Sequence, residues 1–184
     1  MKTESTVMYV ARLALTLLLI TAVVAVALAG VNKVTAPIID RLNAEKTQQA
    51  IAKVLPGGYD EEITSYTDAT GLVSKVYKGE GGYALEVKPS GFDNTITMMV
   101  GIDNDGKVIG ISVVSHTETA GLGAVAAENT SKGEAFRANF EGASGSVSVT
   151  KDGGTVEAIT GATITSRAIC VGVNAALDCV ANLG

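Results

Sequence analysis

An uncharged segment of 20 residues, Leu13–Asn32, constrains the fold of this chain more than any other feature. A helix rises about 1.5 Å per residue, so this segment spans roughly 30 Å, the thickness of the hydrocarbon core of a bilayer. A buried core helix and a cleaved signal peptide are alternatives. Lys2, Arg12 and the small residues Ala29 and Gly30 fit a signal peptide. Because the segment is longer than an ordinary signal-peptide core, we expect a retained transmembrane helix.

The charges that flank this segment predict its orientation. Lys2 and Arg12 favour a cytoplasmic location for the short N-terminus, residues 1–12. Lys33 and Arg41 lie on the other side and weaken this asymmetry. The prediction is a single-pass membrane protein with the rest of the chain outside the cytoplasm.

Two segments are expected after the membrane helix. Residues 33–58 are predicted to form a juxtamembrane helix, because apolar side chains recur at helical spacing from Pro37 to Leu55. The run Pro56-Gly57-Gly58 should stop it. Residues 59–184 then form one extracytoplasmic domain, a usual size for a single hydrophobic core.

The first half of this domain has the pattern of an antiparallel sheet. Residues 73–79 and 82–91 read as strands, and residues 94–103 and 107–116 flank the turn Asn104-Asp105-Gly106, a strong hairpin signal. The pattern therefore predicts an α+β fold with a mostly antiparallel sheet flanked by helices.

The second half reads as a mixture of short elements. Short helices are expected to break at Gly133 and Gly142, and a further strand pair is expected around Asp152-Gly153-Gly154. The last element is a helix over 165–183 with one apolar face.

The charge, cysteines and single histidine of the chain disfavour three features: nucleic-acid binding, a disulfide and a metal site. The net charge of −5 disfavours nucleic acid as a partner. Cys170 and Cys179 would lie on opposite sides of the last helix, so we expect two buried free thiols rather than a disulfide. With His116 as the only histidine, no metal site is expected.

The turn Thr160-Gly161-Ala162-Thr163 is the first candidate site. It joins a predicted strand to a helix that begins near Thr165 or Ser166, where unpaired backbone N–H groups and a partial positive charge favour an anion. Small residues leave room for a close group and the threonines add hydroxyls, a combination that suits a phosphate. A plain capped helix start is the alternative.

The loop Ser115–Ala124 is the second candidate. It follows a strand and holds His116, Glu118, Gly121 and Gly123. Its GLGAVA run is only a weak match to a dinucleotide fingerprint, because no βαβ setting surrounds it. A loop with an incidental histidine is the alternative.

Taken together, these segments resemble a known family. The single N-terminal span, the AIAKVLPG helix end, the stretch from Gly82 to Gly123 and the stretch EAITGATITSRAI are similar to the G subunit of the Rnf complex, the membrane-bound ferredoxin:NAD oxidoreductase. The chain is also similar to the C subunit of the sodium-pumping NADH:quinone oxidoreductase.

The resemblance implies a covalently bound cofactor. In that family the second threonine of a Ser/Thr-Gly-Ala-Thr motif carries FMN through a phosphoester bond, and here that residue is Thr163. The implied cofactor-binding residues are the remainder of the turn and part of the loop: Thr160, Gly161, Ala162, Thr165, His116, Glu118, Thr119, Gly121 and Leu122.

The resemblance also implies the setting of the protein, a bacterial cell membrane. It would be an electron-transfer subunit of an oxidoreductase complex that couples electron flow to sodium or proton translocation, with no complete active site of its own. Its partners would be other membrane and redox subunits, membrane lipid, and a flavin transferase for maturation.

Two departures from the family pattern leave alternatives. Ala120 stands in place of a proline, and Glu157 stands in place of the aspartate that usually lies six positions before the modified threonine. A structural or assembly subunit without covalent FMN is therefore one alternative, and the flavin subunit of the related quinone reductase is another.

Overall fold

The computed structural model describes residues 2–183, with side chains from residue 6 onward. Met1 and Gly184, the outer ends of the predicted segments 1–12 and 59–184, lie outside the described residues. Chain contacts divide the described residues into two compact units that meet between Ala44 and Glu45.

Helix α1, Lys2–Val54, contains the predicted membrane segment. Its most apolar stretch has a mean hydropathy of 2.6, and none of that stretch is buried. The hydroxyls of Thr16 and Thr21 donate to the carbonyls of Arg12 and Leu18 in the same helix, at 2.7 and 2.9 Å. Because these polar groups are satisfied within the helix, the stretch is suited by length and composition to a bilayer.

The predicted juxtamembrane segment, 33–58, is helical as far as Val54 and belongs to the same helix as the predicted membrane segment. Pro37 lies inside α1, and the helix ends at Val54, just before Pro56-Gly57-Gly58. A proline removes one backbone hydrogen bond of a helix. The flanking residues continue the helical pattern, however, and a helix-terminating run of breakers comes only at Pro56.

The second unit contains a five-stranded antiparallel sheet whose strands lie side by side in chain order. The strands are β1 Glu61–Ile63, β2 Val73–Gly79, β3 Gly82–Val87, β4 Thr97–Ile102 and β5 Val108–Ser115. The α+β prediction is thereby confirmed, and β2 matches its predicted bounds. The β4–β5 connection, residues 103–107, contains the predicted hairpin turn, and residues 80–81 join β2 to β3 as directly. The longer loops 64–72 and 88–96 make the other two connections.

The central strands β3 and β4 are buried on both faces of the sheet, because apolar side chains point to both sides. Val76, Leu85 and Val100 are register partners and belong to the larger hydrophobic cluster, which includes Ile169 and Val173 of the last helix. The opposite face carries a smaller hydrophobic cluster, formed by the end of α1 and by side chains of the sheet. Its members are Ala50, Ile51, Val54, Leu55, Tyr77, Ala84 and Met99. The helical segment at the start of the second unit thus belongs to the domain core.

Gly101 and its cross-strand partner Gly110 provide a matched test of this packing. A Cβ at Gly101 would overlap the backbone carbonyl of Val54, whereas a Cβ at Gly110 would meet nothing within 4 Å. We expect Gly101→Ala to lower the free energy of unfolding by about 1–2 kcal/mol, because the end of α1 must shift. Gly110→Ala should change it by less than about 0.5 kcal/mol. Denaturant unfolding of the detergent-solubilised chain measures both, and equal effects would contradict this packing.

Two helices follow the sheet, α2 Ser131–Ala138 and α3 Thr163–Ala181. The predicted helix break at Gly133 is wrong, because this residue lies in the first turn of α2. A side chain there would overlap the carbonyl oxygens of Glu128 and Val125, so close packing requires the glycine.

The predicted strand pair around Asp152-Gly153-Gly154 is also wrong. The structure has a short 3₁₀ turn at Thr150–Asp152 and a single parallel bridge between Val149 and Val156. The backbone N–H and carbonyl of Val147 bond to the side-chain amide of Asn174 on α3, at 2.7 and 2.9 Å. A helix side chain therefore satisfies the backbone groups that a neighbouring strand would have used.

Helix α3 is the central core helix and carries both cysteines. It is long and apolar enough to span a bilayer, but 61% of its most apolar stretch is buried. Cys170 and Cys179 are buried free thiols, as predicted. Burial raises the pKa of the Cys170 thiol to about 11 and also raises the pKa of Cys179, so both are poor nucleophiles at neutral pH.

Candidate functional site

The turn Thr160–Ala162 lies immediately before α3. Gly161 has a φ of 79°, a conformation that favours glycine. The Ser166 hydroxyl donates to the Ala162 carbonyl and accepts from the Ile159 N–H, both at 3.0 Å, so it fixes the two ends of the turn. The helix begins at Thr163, earlier than the predicted Thr165 or Ser166.

The start of α3 has the properties of an anion site. Ala162 is the N-cap residue and supplies no side-chain hydrogen bond, and the first turn contains no acidic residue. The backbone N–H groups of the first turn therefore have no capping side chain, and the helix dipole adds a partial positive charge there. An oxyanion is the natural partner for such a helix start.

Glu118 connects three separate segments beside this helix start. Its side chain is buried, and its Oε2 accepts a hydrogen bond from the Thr165 hydroxyl at 2.5 Å. Its Oε1 accepts from the backbone N–H of Phe92 at 2.8 Å and of Asp93 at 3.3 Å. One carboxylate thus holds the β3–β4 loop and the loop after β5 against the first turn of α3.

Two glycines make space for this carboxylate. A Cβ at Gly91 would overlap Glu118 Oε1. A Cβ at Gly123 would lie 2.5 Å from Glu118 Oε2 and 2.6 Å from Thr165 Oγ1. The close approach of the three segments therefore depends on residues without side chains.

An open cavity of about 310 Å³ lies at this junction. Its size is within the range of small-molecule sites. Phe92, Leu122 and Ile164 contribute apolar side chains that are 64%, 41% and 51% exposed. The full lining is Phe92, Glu118, Thr119, Leu122, Gly123, Lys151, Gly161, Ala162, Thr163, Ile164 and Thr165.

The cavity combines an apolar surface with a place for a phosphate. Exposed apolar side chains of this kind are suited to a flat ring system. The start of α3 offers N–H groups, and Lys151 Nζ lies 3.3 Å from the hydroxyl of Thr163. This donor set fits a ligand with a phosphate at one end and an aromatic ring at the other.

The structure brings together seven of the ten predicted site residues. They come from both candidate segments and line the same cavity: Glu118, Thr119, Leu122, Gly161, Ala162, Thr163 and Thr165. Thr160 and Gly121 instead line a neighbouring depression of about 420 Å³, together with Glu157. His116 lines neither, and its Nδ1 is buried without a hydrogen-bond partner among residues 6–183.

Four lining residues were not among the predicted cofactor-binding residues. Gly123 and Ile164 lie within or next to the predicted motifs, so their inclusion needed only a wider window around each motif. Phe92 and Lys151 have no local signal, because each lies in a connection far along the chain from its partners in the cavity.

Comparison with known proteins agrees with this site. The FMN-binding domain family matches residues 91–178, a range that includes every residue lining the cavity. This match places the second unit in the class of FMN-binding domains.

Several similar proteins extend the match toward the N-terminus. The G subunit of the Na⁺-translocating ferredoxin:NAD⁺ oxidoreductase complex of Acetobacterium woodii is 33% identical over 94% of this chain and 92% of its own length. The G subunit of the ion-translocating oxidoreductase complex of Methanosarcina acetivorans is 33% identical over 93% and 94%. The protein of the same name from Haemophilus influenzae is 30% identical over 77% and 75%. The chain belongs to the family of G subunits of ion-translocating (Rnf) oxidoreductase complexes.

Proposed function

We propose that this protein is an electron-transfer subunit that carries FMN on Thr163 through a phosphoester bond. The observation that carries the proposal is the position of the Thr163 hydroxyl. It lies at the uncapped start of α3, lines the cavity, and is 3.3 Å from the Lys151 ammonium. A phosphate attached there would meet the helix N–H groups and a cation at once.

The remaining lining residues would hold the flavin. Phe92, Leu122 and Ile164 would contact the ring, and Glu118 would keep the loop that carries Phe92 in place. FMN, when bound, supplies the one- and two-electron redox chemistry, while the protein supplies position and electrostatics. A covalent bond would also prevent loss of the cofactor outside the cytoplasm.

The attachment step would require a flavin transferase. The Thr163 oxygen would form a bond to the FMN-side phosphorus of flavin adenine dinucleotide, and the pyrophosphate bond would break. AMP would leave, and the hydroxyl proton would pass to solvent or to the transferase. Glu157 is exposed and lines the adjacent depression with Thr160, so a transferase could reach it. This accessibility supports glutamate as a substitute for the usual aspartate.

The setting follows from the family and from α1. The similar proteins are named as subunits of ion-translocating complexes, so the partners here would be the other subunits of such a complex. Residues 13–32 would cross the lipid bilayer, with 1–12 in the cytoplasm and 59–184 outside it. Electrons passing through FMN would be coupled, in the complex, to movement of sodium ions or protons.

Intact-mass measurement tests the proposal. The full chain is expressed with and without a flavin transferase and is denatured before analysis, so that only covalent groups are counted. We expect a gain of one FMN less one water when the transferase is present. No gain, with the transferase active on a control substrate, would favour the structural-subunit alternative.

A further inference from the structure

Lys151 is the cationic residue of the FMN cavity. Among the described residues that line the cavity, no other side chain carries a positive charge, and Glu118 carries the negative charge. The Lys151 ammonium donates a hydrogen bond to Thr163 Oγ1, the atom that would become the ester oxygen. The hydrogens of the ammonium that do not contact Thr163 are free to meet the oxygens of a phosphate.

An ion pair links the turn that carries Lys151 to helix α3. Its neighbour Asp152 accepts two hydrogen bonds from Arg167, from Nε and from one terminal nitrogen, each at 2.6 Å. Hydrogen bonding from Arg167 lowers the pKa of Asp152, so the pair remains charged at neutral pH. Arg167 follows Thr163 by four residues, so both lie on the same face of α3. The pair therefore attaches the 3₁₀ turn that carries Lys151 to the helix face that carries Thr163.

We propose that Lys151 binds the phosphate of the flavin, both during transfer to Thr163 and in the finished phosphodiester, and that the Asp152–Arg167 pair positions it. The inference rests on the proposed FMN attachment. In the transfer, the bond from Thr163 Oγ1 to phosphorus forms as the pyrophosphate bond of flavin adenine dinucleotide breaks. AMP leaves, the hydroxyl proton passes to solvent or to the transferase, and no electrons are exchanged. Lys151 would offset the negative charge on the oxygens of the transferred phosphoryl group.

A binding experiment without any transferase isolates the role of Lys151. The full chain, expressed without the transferase and purified in detergent, is titrated with FMN and separately with riboflavin, which has the same ring and no phosphate. Lys151→Ala should weaken FMN binding about tenfold to a hundredfold, the usual cost of losing a charge-assisted hydrogen bond. It should leave riboflavin binding unchanged, and Lys151→Arg should retain most of the preference for FMN.

The matched control is Lys107→Ala. Lys107 is an exposed lysine in the β4–β5 hairpin, at the end of β5 opposite the loop that enters the cavity. Removing it subtracts the same charge from the protein and should not alter binding of either flavin. If Lys151→Ala and Lys107→Ala lost FMN affinity equally, the loss would be due to the change in net charge, and the inference would be overturned.

A second experiment follows attachment itself. With transferase and flavin adenine dinucleotide in excess, the initial rate of FMN attachment by mass should fall about tenfold or more in Lys151→Ala. Asp152→Asn should slow attachment less than Lys151→Ala does. Adding Asp152→Asn to Lys151→Ala should cause no further loss of rate, because the Asp152–Arg167 pair acts through Lys151.

An unchanged rate in Lys151→Ala, with FMN still preferred over riboflavin, would overturn the inference while leaving covalent attachment in place. A wild-type chain that is never modified would overturn covalent attachment, and the binding experiment would then decide the role of Lys151 alone.

Discussion

Replacing Thr163 with alanine is expected to abolish covalent FMN completely. The variant co-expressed with a flavin transferase should show its unmodified mass after denaturation, because the substitution removes the oxygen that lies beside Lys151 at the ester position. Thr163 is partly exposed at the first position of α3, and alanine is a good helix former, so the fold should be retained. In-gel flavin fluorescence should also disappear.

Thr160→Ala is the matched control for this result. Thr160 belongs to the same turn, but it lines the neighbouring depression rather than the cavity. It should therefore still gain the mass of FMN. Modification of Thr163→Ala, or its transfer to Thr160 or Thr165 in mapped peptides, would contradict the assignment of the attachment site.

Replacing Glu118 with alanine is expected to cause the largest loss of stability at the site. The change removes three hydrogen bonds to a buried carboxylate and leaves the Thr165 hydroxyl without its partner. Water can reach the exposed Phe92 and Asp93 segment, which limits the loss to about 2–4 kcal/mol. The loop that carries Phe92 should detach from α3, so visible circular dichroism of the bound flavin should weaken.

Glu86→Ala separates this local effect from a general loss of stability. Glu86 is also a buried glutamate and accepts a hydrogen bond from Ser74 at 2.6 Å, but it lies on β3 and does not line the cavity. Its removal should lower the free energy of unfolding while leaving the flavin spectrum unchanged. A flavin spectrum that responds equally to both substitutions would contradict the positioning role of Glu118.

The elements that were predicted correctly have signals confined to a few neighbouring residues. The strand Val73–Gly79 contains Val73, Val76 and Tyr77, residue types that favour strands, and the β4–β5 hairpin is marked by Asn104-Asp105-Gly106. The predictions that were wrong concern elements with distant partners. Residues 147–156 have strand-like composition, but Asn174 occupies the hydrogen-bonding groups of Val147 from α3, and this contact is invisible in the local pattern.

Local sequence patterns predict the apolar N-terminal helix, the strands, the last helix and the Thr-Gly-Ala-Thr turn, since each depends on a spacing of at most about 20 residues. Which threonine of this turn lines the cavity depends instead on the packing of α3. Thr160 and Thr163 flank the same Gly161-Ala162 pair, but the direction in which α3 leaves the turn places Thr163 beside Lys151 and Thr160 beside Glu157. Likewise, Glu118 reaches Phe92 and Thr165 across separations of 26 and 47 residues. Contacts at such separations form only because the packed sheet and helix bring the loops together, so no local pattern encodes them.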